Sequence, residues 1–240
     1  MKIYLSPSDQ TGNLYAYGGT NEAAQCRRLA DAAQRALERC GFEVKNNQTS
    51  DMYARVAESN RWNSDLHVCI HTNAFDGTVS GTRMFAFNTT GSGYKAAQAI
   101  FRRLAPITPG SSENLTARPG LYEIKVSNAP CVYIEGDFHD NVEAAKWLIS
   151  HPTEIGEAIC QGICDHFGVA YAAPGGAEDA ALRWAREKGC DQVHGPLGFT
   201  DMDREGMLVE GFDRRSLFFT NYNAPYYLEH LTRLGYRKDV

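Results

Sequence analysis

No apolar run in this 240-residue chain approaches the roughly 20 residues a membrane-spanning helix needs; the longest are of strand length. Basic charge is not in excess either. Twenty-four Lys and Arg stand against 29 Asp and Glu, a net charge of −5, and no basic stripe interrupts the pattern. Phosphate backbones are gripped by clustered positive charge, so a nucleic-acid partner is not expected. Met1-Lys2-Ile3-Tyr4-Leu5 runs directly into Ser6-Pro7-Ser8 without the apolar stretch of a secretory leader, and the expectation is a protein made in the cytoplasm. The seven cysteines include no Cys-x-x-Cys pair, and their odd number gives no disulfide framework. Cys160 and Cys164 stand one helical turn apart. They read either as a metal pair or as two small hydrophobes on one buried helix face.

What is present suffices for a core: 43% of residues are hydrophobic and 11% aromatic. Strand and helix patterns alternate through residues 1–169. Lys2–Leu5 reads as a strand. Thr20 or Asn21 then caps a helix in which Cys26, Leu29, Ala30, Ala33, Leu37 and Cys40 recur at helical spacing until Gly41. Phe42–Lys45 is a short strand, Met52–Trp62 an amphipathic helix, and Leu66–His71 an apolar run that reads as a buried strand with polar residues at its end. Strands over Gly81–Asn88, Leu121–Val126 and Cys131–Gly136 and helices over Tyr94–Leu104, Val142–Ile149 and Glu154–Phe167 complete the pattern. This alternation predicts an α/β fold, a mostly parallel twisted sheet flanked by helices. Residues 170–176 read as a linker, and 177–240 as a small α+β appendage with a helix over Ala177–Lys188 and another over Tyr226–Leu234.

In a parallel α/β sheet, ligands gather at the carboxyl ends of the strands. Ser6–Gln10 follows the first strand, Glu22 opens the first helix, His71 ends the central strand and Glu135 ends a late one. Two acids and an imidazole converging there suit a hydrolytic metal site, which needs three protein ligands, an open position and an unbound carboxylate as base. The same residues also admit plainer roles: a helix-terminal acid, a hydrogen-bonded core histidine and one half of an ion pair. His67 precedes His71 by four, but on a strand that spans roughly 13 Å, so the two cannot share an ion and His67 reads as structural. His151, His166 and His194 have no partners at ligand spacing and read as surface residues.

Residues 1–169 resemble the zinc-dependent N-acetylmuramoyl-L-alanine amidases of bacterial cell-wall hydrolases and phage endolysins. The likeness lies in Thr20-Asn21-Glu22-Ala23, in Asp65 to Ala74 with its His71-Thr72-Asn73-Ala74 ending, and in Ala129 to Glu135 running into Phe138-His139-Asp140-Asn141. It implies that Glu22 and His71 bind Zn2+, that Glu135 is the catalytic carboxylate, and that the substrate is peptidoglycan, cut between N-acetylmuramic acid and L-alanine. It also implies action on the wall after release or lysis. One departure stands out. Where the family has a first zinc histidine, the loop here reads Ser6-Pro7-Ser8-Asp9-Gln10, and Asp9 takes that position. Asp9 is the leading third ligand, with Gln10, His139 or loss of the metal as alternatives; carboxylate oxygen is an acceptable zinc donor.

Residues 177–240 resemble a fragment of a GNAT-like N-acetyltransferase, through Trp184 to Cys190 and Gly195 to Phe212, without the glycine-rich loop that holds a CoA pyrophosphate. Two other functions are therefore weighed beside the amidase: a metal-free protein of the same fold that binds wall fragments or a protein partner, and an acetyltransferase remnant.

Overall fold

The computed structural model describes residues 1–174, and its first compact unit spans Met1–Ala172. The expectations for 177–240 lie outside the described residues.

Six strands form one sheet in the order β2 (Glu43–Asn46), β1 (Lys2–Pro7), β3 (Leu66–Asn73), β6 (Cys131–Phe138), β4 (Arg83–Ala86), β5 (Asn114–Ala117). All neighbours are parallel except β4 and β6, which run antiparallel. The helices are α1 (Glu22–Arg39), α2 (Met52–Trp62), α3 (Ser92–Leu104), α4 (Tyr122–Val126), α5 (Val142–Ser150) and α6 (Pro152–Phe167).

Alternation along the central strands sorts the two faces. Ile3 and Leu5 of β1, Leu66, Val68 and Ile70 of β3, and Val132 and Ile134 of β6 enter the main core with Leu29, Ala33 and Leu37 of α1, Ile100 of α3 and Ile159 and Ile163 of α6. Their neighbours point the other way. Tyr4 and Ser6 reach Glu58 of α2 and Glu123 of α4, and Cys69 and Cys131 join Phe85 and Ile124 in a second, smaller cluster. The parity of β3 therefore places His67 and His71 on the α2–α4 face. That of β6 places Tyr133 and Glu135 there too.

On the main face α6 lies between α1 and α3 at very short range. A Cβ on Gly156 would meet the Ala32 carbonyl carbon at 2.6 Å, and one on Gly162 would collide with Ile100 Cα. Glycine is required at both by close approach of backbones.

Two sequence expectations are corrected here. Leu121–Val126 is not a strand: Tyr122–Val126 form one helical turn, α4. The sheet instead takes β5 from Asn114–Ala117, inside a stretch that reads as loop. A turn of five residues is too short to display a helical period, and Leu121, Ile124 and Val126 mimic strand composition.

Candidate active site

Glu22 is the first residue of α1 and is buried, because Asn21 caps the helix by accepting from the Ala24 N–H and turns the chain inward there. Its Oε1 lies 2.8 Å from His71 Nδ1 and accepts weakly from the Thr72 N–H at 3.4 Å, while Oε2 accepts from Asn13 Nδ2 at 2.6 Å. The two residues, 49 apart in sequence, meet at the carboxyl edge of the sheet. The His71 ring stacks on Tyr133 at 4.4 Å between centroids.

Glu135 stands beside His71, paired with it in the β3–β6 register. Immediately beyond, the register shifts: Asn73 pairs with Phe138, so β6 holds one extra residue there. Bulges of this kind re-aim side chains and gather near active sites. Asp137 lies within the bulge, buried, with Oδ1 accepting from the N–H groups of Gly81 and Phe138. Glu135 Oε2 and His71 Nε2 are both buried without a hydrogen-bond partner. Buried polar atoms without a partner are uncommon, and these two belong to residues paired across the β3–β6 register.

Glu123 is the residue sequence reasoning missed. It is 2% exposed on α4. Its Oε1 accepts from Ser6 Oγ at 2.5 Å and lies 3.2 Å from His67 Nε2, and its Oε2 lies 4.0 Å from His71 Nε2. His67 Nδ1 in turn meets Ser59 Oγ at 2.9 Å. The structural role expected of His67 thus has a specific form: it anchors the carboxylate that faces the outer nitrogen of His71. A buried acid inside a one-turn helix carries no periodic signal, so only the fold reveals it.

The charges set the proton affinities. Burial alone would lower the His71 pKa, but the hydrogen bond it donates to Glu22 and the charges of Glu135, Glu22 and Glu123 raise it. Burial raises Glu22 and Glu123, yet both end below the ordinary carboxylate range, Glu22 through His71 and Asn13 and Glu123 through His67 and Ser6. Glu135 goes the other way. Burial pushes it up to about 7, with Glu22 adding to the rise and His71 and Arg118 opposing it. Two carboxylates held ionised and a third poised near neutrality is an acid–base arrangement.

The other sequence candidates are engaged elsewhere in this structure. Asp9 accepts from Arg55 Nη1 at 3.2 Å, and Arg55, 1% exposed, also donates from Nε to Ser6 Oγ at 2.9 Å. Gln10 Oε1 accepts from the same Asn13 amide that holds Glu22. His139 is buried against Tyr15, with Nδ1 3.0 Å from Thr72 Oγ1. Asn141 caps α5 by accepting from the Glu143 and Ala144 N–H groups, which makes it a fold-forming residue. His151 and His166 are half-buried against Trp147 and Phe167.

Glu22 and His71 fit a divalent cation by donor type and convergence, carboxylate oxygen and imidazole nitrogen being zinc ligands. Asp9 does not close a triad with them. Among the described residues, the groups of three with ligand atoms within 4.8 Å of one another are Cys40, Cys160 and Cys164, and His67, Cys69 and Cys131.

Comparison with known proteins gives the family and the fold. A family model described as N-acetylmuramoyl-L-alanine amidase matches residues 7–165. The fold is similar to the catalytic domain of CwlV, an N-acetylmuramoyl-L-alanine amidase from Bacillus (Paenibacillus) polymyxa var. colistinus, with a TM-score of 0.63 and 16% identity over 71% of this chain and 100% of that one. It is also similar to the catalytic domain of an endolysin targeting Clostridia difficile, with a TM-score of 0.58 and 19% identity over 69% of this chain and 97% of that one. A curated relative, Protein YghO of Escherichia coli (strain K12), is 30% identical over 83 residues, which cover 31% of this chain and only 20% of that protein. The acetyltransferase likeness of 177–240 gains no support from these comparisons.

Proposed function

Because the chain belongs to the N-acetylmuramoyl-L-alanine amidase family, we propose that it hydrolyses the amide joining the lactyl group of N-acetylmuramic acid to L-alanine in peptidoglycan. The observation that carries this reading is the convergence of Glu22 and His71 beside Glu135, with His71 Nε2 and Glu135 Oε2 buried and unpartnered.

Glu22 and His71 Nδ1 would hold Zn2+. When bound, the ion supplies Lewis-acid polarisation of the scissile carbonyl and a water of lowered pKa. The chain supplies the rest. Glu135 takes the proton of the attacking water and delivers it to the leaving amine; a carboxylate with a pKa near the working pH suits both transfers. Glu123 faces His71 Nε2 at 4.0 Å, a buried carboxylate placed to favour an orientation of the ring that turns Nδ1 toward Glu22 and the ion. Leu14, Tyr17 and Phe75 are exposed on the loops that follow β1 and β3, at the same sheet edge, and would meet the glycan or stem peptide. The place of action is the cell wall, reached after release or lysis.

Asp9 is the proposed third ligand, and it would have to leave Arg55 to serve. The pairing of Asp9 with Arg55 favours the second reading, a metal-free protein that binds wall fragments or a protein partner. One assay separates the two. Purified protein and isolated walls should release fragments with new alanine amino groups and no new reducing ends; a chelator should stop the release, and added Zn2+ should restore it. No release in the presence of added Zn2+ sinks the amidase reading.

Glu123→Gln gives a second expected result. Loss of an outer carboxylate typically costs about 10–100-fold in metal affinity, and competition against a chromophoric chelator should report a loss of that size. Unchanged affinity would reduce Glu123 to a packing residue.

A further inference from the structure

Cys40 ends α1, and Cys160 and Cys164 lie one turn apart on α6, so the packing of those two helices brings three thiols together. Cys160 Sγ is 3.5 Å from Cys40 Sγ and 4.0 Å from Cys164 Sγ, and all three sulfurs lie within 4.8 Å of one another. Three thiolates on one ion with metal–sulfur bonds of about 2.3 Å would stand about 3.8–4.0 Å apart, so the triangle already has the size of a ligand set. A disulfide needs sulfurs at about 2.05 Å and would join two of the three, leaving the last behind. We infer that Cys40, Cys160 and Cys164 form a binding site for one thiophilic d10 cation of the zinc class, separate from Glu22 and His71.

The surroundings suit such a site. Cys40 is half-buried and gives a path from solvent, whereas Cys160 and Cys164 are sealed in the core. The backbone of Ala172 closes the outer side: its N–H donates to Cys40 Sγ at 3.4 Å, and its carbonyl oxygen lies 3.8 Å from the same sulfur. Arg39 Nε donates to that carbonyl while its Nη2 pairs with Glu157, so the backbone that covers Cys40 is held in place. Thiolates are the ligating form, so a cation must displace protons here, and burial raises Cys164 to about 11 and Cys160 further. Soft cations meet that requirement where hard ones fail. The other thiol group is less suited. Both ring nitrogens of His67 are taken by Ser59 and Glu123, and His67, Cys69 and Cys131 are all buried.

The test is titration of the full-length reduced protein with Cd2+, read by thiolate-to-cadmium charge-transfer absorption, which a carboxylate–imidazole site does not produce. One equivalent should saturate the band, and Zn2+ should displace it. Cys160→Ser should weaken binding by more than about 100-fold, a larger loss than outer partners cause. Cys40→Ser, at a half-buried helix end where folding is less at risk, should do the same. Cys131→Ser and Cys190→Ser should leave the band unchanged. Absence of the band, its loss in Cys131→Ser or Cys190→Ser, or thiol counting that finds Cys40 and Cys160 already joined in air-purified protein would overturn the assignment.

Discussion

Glu135→Gln is expected to abolish wall cleavage while making the metal-free protein more stable at pH 8. The first half follows from the proton transfers: a positioned general base contributes about 10²–10⁴-fold, and the amide cannot take a proton. The second half follows from burial. Glu135 sits at about 7 in the folded chain against an ordinary 4.5. Between those values the folded state holds a proton that the unfolded state has released. Stability therefore falls as pH rises from about 4.5 to about 7, and the full deficit persists above. A shift of this size corresponds to ~3 kcal/mol. Glutamine carries no charge and escapes the deficit. Urea unfolding of chelated wild-type and variant protein should give curves that agree near pH 4 and separate progressively to pH 7. Parallel curves across that range would show that Glu135 is not held in its neutral form by the fold.

Glu22→Gln should strike the other side of the site. Glu22 is one of the two ligands proposed above, and its hydrogen bond and charge raise His71. Its removal should cost more than about 100-fold in Zn2+ affinity, beyond the effect of an outer partner, and cleavage should be undetectable at stoichiometric metal. The stability effect has the opposite sign to that of Glu135. The carboxyl of Glu22 is depressed below 4.5, so wild type gains stability above that pH and loses it as acid protonates the group. The variant lacks this gain. It should be less stable than wild type at pH 7 and converge with it in acid. Equal zinc content in the purified proteins would remove Glu22 from the ligand set.

The sequence makes the main supports of this site readable because each has its own strong pattern. The apolar stripe of α1 starts at a capping asparagine, which fixes Glu22 at the helix opening; the continuous apolar run of β3 brings His71 to a strand end, and that of β6 does the same for Glu135. What escapes is local or electrostatic. α4 is one turn long and β5 is a short, polar edge strand, so neither displays a period. Glu123 goes unseen with α4. The Arg55–Asp9 contact joins a helix to a loop 46 residues away and has no signature in either segment. Asp9 is aligned by a family pattern, but what its carboxylate faces is decided by a side chain from elsewhere.

The carboxylate that bonds His67 and faces His71 has a further effect on how β3 finds its place. A parallel strand that slips by two residues keeps the same side chains on each face, so burial of apolar groups hardly distinguishes the slipped pairing from the true one. Glu123 does distinguish them. Slipped one way, Cys69 and Asn73 would stand where the two imidazoles belong; slipped the other way, Asp65 and Cys69 would. Either error leaves a sealed-in carboxylate without its imidazole partners, a fault of about 1–3 kcal/mol for an under-satisfied buried polar group. The one-turn helix thus works as a gauge, accepting the central strand only when both histidines are in position.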